Sequence, residues 1–247
     1  MSLGGHLKEF RNRFFVSLLA IGVGTIGGWY LYDPVYATLK APIDRIAAEH
    51  GIQASLNFSD VMGAFDLHLQ MSVFLGIILA SPIWLFNLWA FITPALKKRE
   101  RKYTVIFILS SMPLFFSGTW LAWVSYPTFI NVLVGMSPPG STNIMNAADY
   151  MLFALRILIL FGLAFVSPVA LVLLDMTTII TAKNIFNSWR VAVVLISLIA
   201  AVCTPTADPL SMLILMIPLA ALYFAAGGVA AILDKRREKR QTALVTE

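Results

Sequence analysis

Two acidic side chains that lie among basic ones are the residues best suited to recognise a charged partner. Glu9 lies in the segment HLKEFRNRF, His6–Phe14, and Glu100 lies in the segment KKRERK, Lys97–Lys102. In a helix, Lys97 would stand one turn before Glu100 and could form a pair that contributes about 0.3 kcal/mol. Alternatively, each carboxylate receives a guanidinium from a partner, since arginine places two parallel hydrogen bonds on a carboxylate and lysine cannot. The spacing of the residues leaves both interpretations open.

No sequence pattern typical of catalysis or metal binding accompanies these carboxylates. The three histidines have no metal-ligand spacing, and Cys203 is the only cysteine, which excludes an internal disulfide and a cysteine-based metal site. The sequence contains no nucleophile elbow, P-loop or dinucleotide-binding fingerprint. Its apolar segments contain serines, but no histidine or lysine lies deep in a span, where it could serve as their base. We therefore expect a protein that is not an enzyme and that uses no metal or other cofactor.

The elements that position Glu9 and Glu100 are predicted to be membrane helices, because the composition is too apolar for a soluble domain. Of the 247 residues, 59% are apolar and only 13% are charged, whereas a soluble globular domain has about 25% charged residues. The net charge of +5 does not indicate nucleic acid, since the basic residues follow the membrane topology described below. We predict an all-α, polytopic membrane protein that forms a single integral membrane domain over residues 1–247.

Six apolar runs reach or approach the roughly 20 residues that a helix needs to cross a bilayer. They are residues 14–32, 67–91, 104–126, 150–174, 191–203 and 209–233. We interpret the first run as a retained span, because it is too long for the apolar part of a signal peptide. The fifth run has only 13 residues in its uncharged core, so spans five and six are predicted to be short. Prolines at positions 82, 113, 168 and 218 predict kinks in the spans.

The basic residues predict that both termini are cytoplasmic. Of the 18 lysines and arginines, 15 lie in the N-terminal tail, in the loops after spans two and four, or in the C-terminal tail, residues 234–247. The loop at residues 33–66 then lies outside. There we expect a cap of short helices, since Pro34 could begin one helix and Pro42 would interrupt it. Asp149 is well placed to N-cap the fourth span.

Arg156 is the basic residue that lies several residues inside a predicted span. Its long side chain could extend outward along the helix and keep the guanidinium in water. It could instead form an ion pair with Asp208, in the turn between the last two spans, or with a carboxylate of an outer loop. The sequence leaves both possibilities open.

Four segments, in order along the chain, resemble the TatC family, the multispanning receptor subunit of the twin-arginine protein translocase. His6–Phe14 resembles the family's opening motif, with Phe10 where leucine is usual, and Ser81–Lys102 resembles its second span and first cytoplasmic loop. Phe161–Leu171 resembles its fourth-span signature, and Thr204–Met212 resembles the turn between its last two spans. The resemblance covers nearly the whole chain.

This resemblance implies that the chain binds the twin-arginine signal peptides of folded export substrates. Glu9 and Glu100 would contact the two arginines of the signal, with Arg11 and Phe91 in the same cytoplasmic patch. The resemblance also implies TatA-like and TatB-like single-span partners and self-association in a receptor complex. Transport would be driven by the proton-motive force, across the cytoplasmic (inner) membrane of a prokaryote.

Two positions depart from the family's pattern of membrane-embedded acids. Val166 stands where the fourth span usually has a glutamate, and Phe224 follows Tyr223 where the sixth span often has one. The resemblance implies that several residues of spans four to six contact partner helices or have a structural polar role. They are Arg156, Val166, Ser167, Thr204, Asp208, Ser211 and Met212.

Two other classes of membrane protein receive less support from the residues. A small secondary transporter with a central solute site would have polar groups at mid-membrane and, in many folds, an internal repeat. The sequence shows neither feature. An intramembrane protease needs a buried nucleophile with a base, and the base is missing.

Overall fold

The computed structural model describes residues 3–50, 54–58, 60–92, 101–134, 143–176, 187–203 and 209–245. Seven helices and two strands lie in these residues. The helices are α1 (Leu3–His50), α2 (Gly63–Leu79), α3 (Ser81–Ile92), α4 (Arg101–Val134), α5 (Ala147–Met176), α6 (Trp189–Cys203) and α7 (Pro209–Val245), and the strands are β1 (Ala54–Asn57) and β2 (Asn143–Asn146). The predicted all-α fold class is confirmed, since each strand has only four residues.

Three helical stretches of the described residues are long and apolar enough to cross a membrane. They are Gly4–Arg45, Ala147–Ser167 and Leu215–Ile232. The bent pair Gly63–Leu79 and Ser81–Phe91 adds a fourth if both parts belong to one span. These stretches agree with a multispanning membrane protein, and the count of six spans and the orientation of the termini stay predictions.

A sharp bend divides the second predicted span into α2 and α3. The two helices differ in direction by 58° across Ala80, and Pro82 is the second residue of α3. Proline lacks a backbone N–H and its ring clashes with the preceding turn, so it tends to kink or break a helix. The indole Nε1 of Trp84 donates a hydrogen bond to the Ile77 carbonyl (2.8 Å), which keeps a carbonyl beside the break paired. The kink predicted at Pro82 is confirmed, and those at the other three prolines stay predictions.

Small residues let α1 and α2 pack with their backbones in contact. A methyl group added to Gly24 would lie 2.6 Å from the Gly76 carbonyl oxygen. A methyl group on Gly28 would collide with the Ser72 carbonyl oxygen. Each helix thus presents two small residues one turn apart, which is a common way for membrane helices to approach closely. The contact joins the helix that carries Glu9 to the bent pair of α2 and α3.

Met1–Ala95 and Thr119–Leu160 form one of two compact units of the chain. Within it, Thr119 Oγ1 donates a hydrogen bond to the Leu158 carbonyl (3.3 Å), which joins α4 to α5. The buried apolar side chains of this unit include Leu39, Ile43, Leu67, Met71, Leu85, Tyr126, Met151 and Leu155.

The cap of short helices predicted over residues 33–66 is wrong. Helix α1 continues through Pro34 and Pro42 and ends at His50. The side chains of Leu39 and Ile43 are buried, and the hydroxyl of Tyr150 donates to the Leu39 carbonyl (2.8 Å). This tertiary packing outweighs the local cost of two prolines, which is why the sequence signal failed.

The two predicted outer loops are joined by a parallel pair of strands. β1 pairs with β2 from Ala54 opposite Asn143 to Asn57 opposite Asn146. Asn146 also caps α5, because its Oδ1 accepts hydrogen bonds from the N–H groups of residues 148 (2.8 Å) and 149 (3.3 Å). The cap predicted at Asp149 is therefore wrong. Asp149 lies instead in the first turn of α5, where a carboxylate interacts favourably with the helix dipole.

Leu96–Gly118 and Phe161–Glu247 form the second compact unit. In it, a methyl group on Gly118 would collide with the Phe161 carbonyl oxygen, so α4 and α5 are in close contact. Helix α6 has 15 residues, about 22 Å of helix at 1.5 Å per residue, which agrees with a short fifth span. Helix α7 has 37 residues and continues past residue 233 into the predicted tail, because that segment is rich in strong helix formers. The shortness of the sixth span itself stays a prediction.

Candidate functional site

The first turns of α1 contain an ion pair between a predicted site residue and a neighbouring arginine. Arg13 donates two hydrogen bonds to Glu9 Oε1, from Nε (3.0 Å) and from Nη2 (2.7 Å). The two residues are four positions apart, so they lie on the same face of the helix. Both are half-buried, with 29% of the Arg13 side chain and 22% of the Glu9 side chain exposed. Among the described residues, no donor bonds the other carboxylate oxygen, Oε2.

An aromatic contact brings the end of α3 against the start of α1. The Phe91 ring stacks on the His6 ring, with centroids 4.5 Å apart, and its centroid lies 5.2 Å from that of Phe10. His6 and Phe10 flank Glu9 along α1, so Phe91 lies beside the turns that carry the carboxylate. We call His6, Glu9, Phe10, Arg13 and Phe91 the Glu9 patch. A carboxylate beside aromatic faces is an arrangement suited to a guanidinium.

A hydrogen bond joins α1 and α3 one turn after Arg13 on α1 and one turn before Phe91 on α3. Asn87 Nδ2 donates to Ser17 Oγ (3.2 Å), and the Ser17 hydroxyl donates to the Arg13 carbonyl (2.9 Å). Asn87 is only 9% exposed, and burying an amide is costly unless it is hydrogen-bonded. The link therefore holds the two helices at the level of the Glu9 patch. The sequence analysis did not assign Asn87, although a lone amide within the apolar α3 is a signal that could have identified it.

The structure brings together two of the four predicted binding residues, Glu9 and Phe91. Arg11 lies on α1 with an exposed side chain. Glu100 and its alternative partner Lys97 lie outside the described residues, and α4 begins immediately after Glu100. The role of these four residues in binding stays a prediction.

The residues predicted to contact partner helices lie on α5 and α7 or between α6 and α7. Val166 is buried, with 5% of the residue exposed. The Ser167 hydroxyl donates to a carbonyl of its own helix, that of residue 164 (2.7 Å), and Met212 is half-buried. Thr204, Asp208 and the side chain of Ser211 lie outside the described part of the chain. Their role in partner contacts stays a prediction.

Arg156 is half-buried on α5 and has no hydrogen bond or ion pair with any residue that the structure describes. The ion pair considered with Asp208 lies outside those residues, so both interpretations of Arg156 stay open. Within the described ranges, no three histidine, cysteine, aspartate or glutamate side chains are arranged to hold a metal ion.

Known proteins resemble this chain in both sequence and structure. The family model described as TatC, Sec-independent protein translocase protein, matches residues 5–218. The Sec-independent protein translocase protein TatC of Xylanimonas cellulosilytica is 38% identical over 240 residues, which are 97% of this chain and 87% of the relative. That of Rothia mucilaginosa is 36% identical over 245 residues, which are 99% of this chain and 84% of the relative.

A solved structure extends the match to the fold. The crystal structure of the twin-arginine translocase receptor TatC in DDM matches with a TM-score of 0.81 at 27% identity, over 91% of this chain and 99% of that chain. The two relatives of this chain described above are named as translocase proteins and not as enzymes. The family model, the relatives and the fold agree with the four motifs in the sequence. The chain therefore belongs to the TatC family of Sec-independent protein translocase proteins.

Proposed function

We propose that this chain is the receptor subunit of a twin-arginine translocase and that its Glu9 patch binds an arginine of the signal peptide. The observation that supports this proposal most directly is the Glu9 carboxylate, which already accepts a guanidinium and lies on the turns that Phe91 contacts. The solved relative is named as a twin-arginine translocase receptor, which supports the same assignment.

A guanidinium suits this patch better than an ammonium does. Its planar fork can donate to both oxygens of a carboxylate, and its face can lie against an aromatic ring. An ammonium is a compact and strongly hydrated charge that cannot form the parallel pair of hydrogen bonds. Glu100, next to the start of α4, is the carboxylate that we propose for the second arginine. Arg11 and Phe91 complete the binding surface.

The receptor lies in the cytoplasmic membrane of a prokaryote, with both termini and the Glu9 patch on the cytoplasmic side. The clustering of 15 of the 18 basic residues in the predicted cytoplasmic segments supports this orientation. TatA-like and TatB-like single-span proteins are its partners, together with further copies of the receptor and the lipid bilayer. They contact the region of Val166, Ser167 and Met212, and the proton-motive force drives transport.

Binding of a fluorescent twin-arginine peptide to the purified full-length chain in detergent tests this function. We expect the double variant Glu9→Ala and Glu100→Ala to bind about 10- to 100-fold more weakly, because a charge-assisted hydrogen bond contributes about 1.5–3 kcal/mol. Asp33→Ala removes a carboxylate from an exposed position of the same helix and should leave the affinity unchanged. The proposal fails if the parent chain binds a twin-lysine peptide equally well, or if the double variant binds as tightly as the parent.

A further inference from the structure

We propose that Arg13 occupies the Glu9 carboxylate before a signal peptide binds, so that the arginine of the signal must displace Arg13. The inference rests on the proposed function, because it concerns the resting state of the same site. It makes Arg13 a residue that sets the affinity of the receptor although it belongs to the receptor's own chain.

The geometry of the ion pair shows why displacement is needed. Both Arg13 nitrogens donate to the same oxygen of Glu9, Oε1. A ligand guanidinium that forms the parallel pair of hydrogen bonds uses both oxygens of a carboxylate. It therefore competes with Arg13 for Oε1 even though Oε2 has no donor among the described residues.

The surroundings fix the backbone of α1 at Arg13. Its carbonyl accepts the Ser17 hydroxyl, and Ser17 is bonded in turn to Asn87 of α3. A glutamate that precedes its basic partner by four residues is in the favourable orientation for a helix. The pair is half-buried, which shields it from solvent more than a pair on a fully exposed helix face.

Pairing of Arg13 with Glu9 has a clear physical advantage while no signal peptide is bound. A half-buried carboxylate without a partner is costly, because it loses water without gaining a counter-charge. Arg13 supplies that charge while the site is empty, and the ligand supplies it afterwards. The exchange of one guanidinium for another keeps Glu9 paired throughout, so the affinity of the signal reflects the difference between two similar contacts.

Three variants of the full-length chain distinguish competition by the Arg13 guanidinium for Glu9 from a general effect of positive charge on peptide binding. Arg13→Lys keeps the charge and loses the fork, whereas Arg13→Gln loses both. Lys8→Gln removes an equal charge from an exposed residue next to Glu9 and is the control for electrostatic repulsion. We expect Arg13→Lys and Arg13→Gln to bind the twin-arginine peptide roughly two- to fivefold more tightly than the parent, the range set by the strength of such pairs. The gain for Arg13→Gln should exceed that for Lys8→Gln.

The same variants in a Glu9→Gln background complete the experiment. There we expect the substitutions at Arg13 to have no effect beyond that of Lys8→Gln, because the shared carboxylate is gone. Weaker binding by Arg13→Lys would show that Arg13 supports the site, which would overturn the inference. A gain in affinity for Arg13→Gln no larger than that for Lys8→Gln would show a charge effect alone, and it would overturn the inference as well. If the parent does not prefer the twin-arginine over the twin-lysine peptide, the proposed function fails as well. If the parent does show this preference, only the inference about Arg13 fails.

Discussion

Half-buried carboxylates are costly to leave unpaired, and the side chains around Glu9 show how this chain avoids that cost. Glu9 and Phe91 could be identified from the sequence, because each lies in a recognisable motif. Their proximity could not, since it depends on how α3 packs against α1 and brings Phe91 onto His6 and Phe10. The partner of Asn87 could not be predicted for the same reason, because it lies 70 residues away on another helix.

Loss of the Ser17 hydroxyl should destabilise the chain more than loss of the amide that bonds it. Ser17→Ala leaves the Asn87 amide buried without its acceptor, which costs about 1–3 kcal/mol of the free energy of unfolding. Adding Asn87→Leu should restore part of this loss, because no buried amide then remains unpaired. Unfolding in detergent measures the effect. Ser197→Ala is the control, since that exposed hydroxyl donates to a carbonyl of its own helix, α6. If the effects of Ser17→Ala and Asn87→Leu on the free energy of unfolding simply add, the two side chains are not coupled and the prediction is wrong.

The helices show which local signals in the sequence are decisive and which are not. Pro82 predicted the break between α2 and α3, and the two helices differ in direction by 58° there. Pro34 and Pro42 predicted breaks that do not occur, since the buried Leu39 and Ile43 hold α1 together. A proline indicates only the local destabilisation of a helix, and long-range packing determines whether the helix continues through it.

The contact between α1 and α2 should tolerate no side chain at Gly28. Gly28→Ala places a methyl group against the Ser72 carbonyl, so the helices must separate, and overpacking of this kind costs about 1–3 kcal/mol. Gly22→Ala is the control, because a methyl group there meets nothing within 4 Å and alanine favours the helix. The melting temperatures of the two variants in detergent test the difference. Equal stability of Gly28→Ala and Gly22→Ala would show that the helices are not in backbone contact.

Across the chain, the order and approximate positions of the helices follow from the apolar runs, whereas the strands do not. Four-residue strands carry too little pattern to be identified, and each is stabilised by a segment far away in the sequence. Helix length also carries information that composition alone does not. At about 22 Å, the 15 residues of α6 fall short of a bilayer core about 30 Å thick. As the predicted fifth span, α6 would require the membrane to thin beside it or other helices to shield its end.

Cys203, the last residue of α6 and the only cysteine of the chain, should reveal this mismatch. We expect a membrane-impermeant maleimide added outside to label it slowly in the assembled complex and faster once the partners are removed. An Asp60→Cys change in a Cys203→Ser background provides the reference for an exposed position. Labelling of Cys203 in the complex at the rate of that reference would show that the end of α6 reaches bulk water.

The pairing of β1 with β2 imposes an order on the biosynthesis of this protein. The paired residues are roughly 90 positions apart, and α2, α3 and α4 are made between them. During translation β1 emerges long before its partner, with the backbone N–H and C=O groups along its edge still unpaired. A chain released before residue 143 would already contain every residue of the Glu9 patch. It would nevertheless present an open strand edge to proteases and chaperones on the predicted outer side of the membrane. That edge would distinguish the incomplete chain from the complete one.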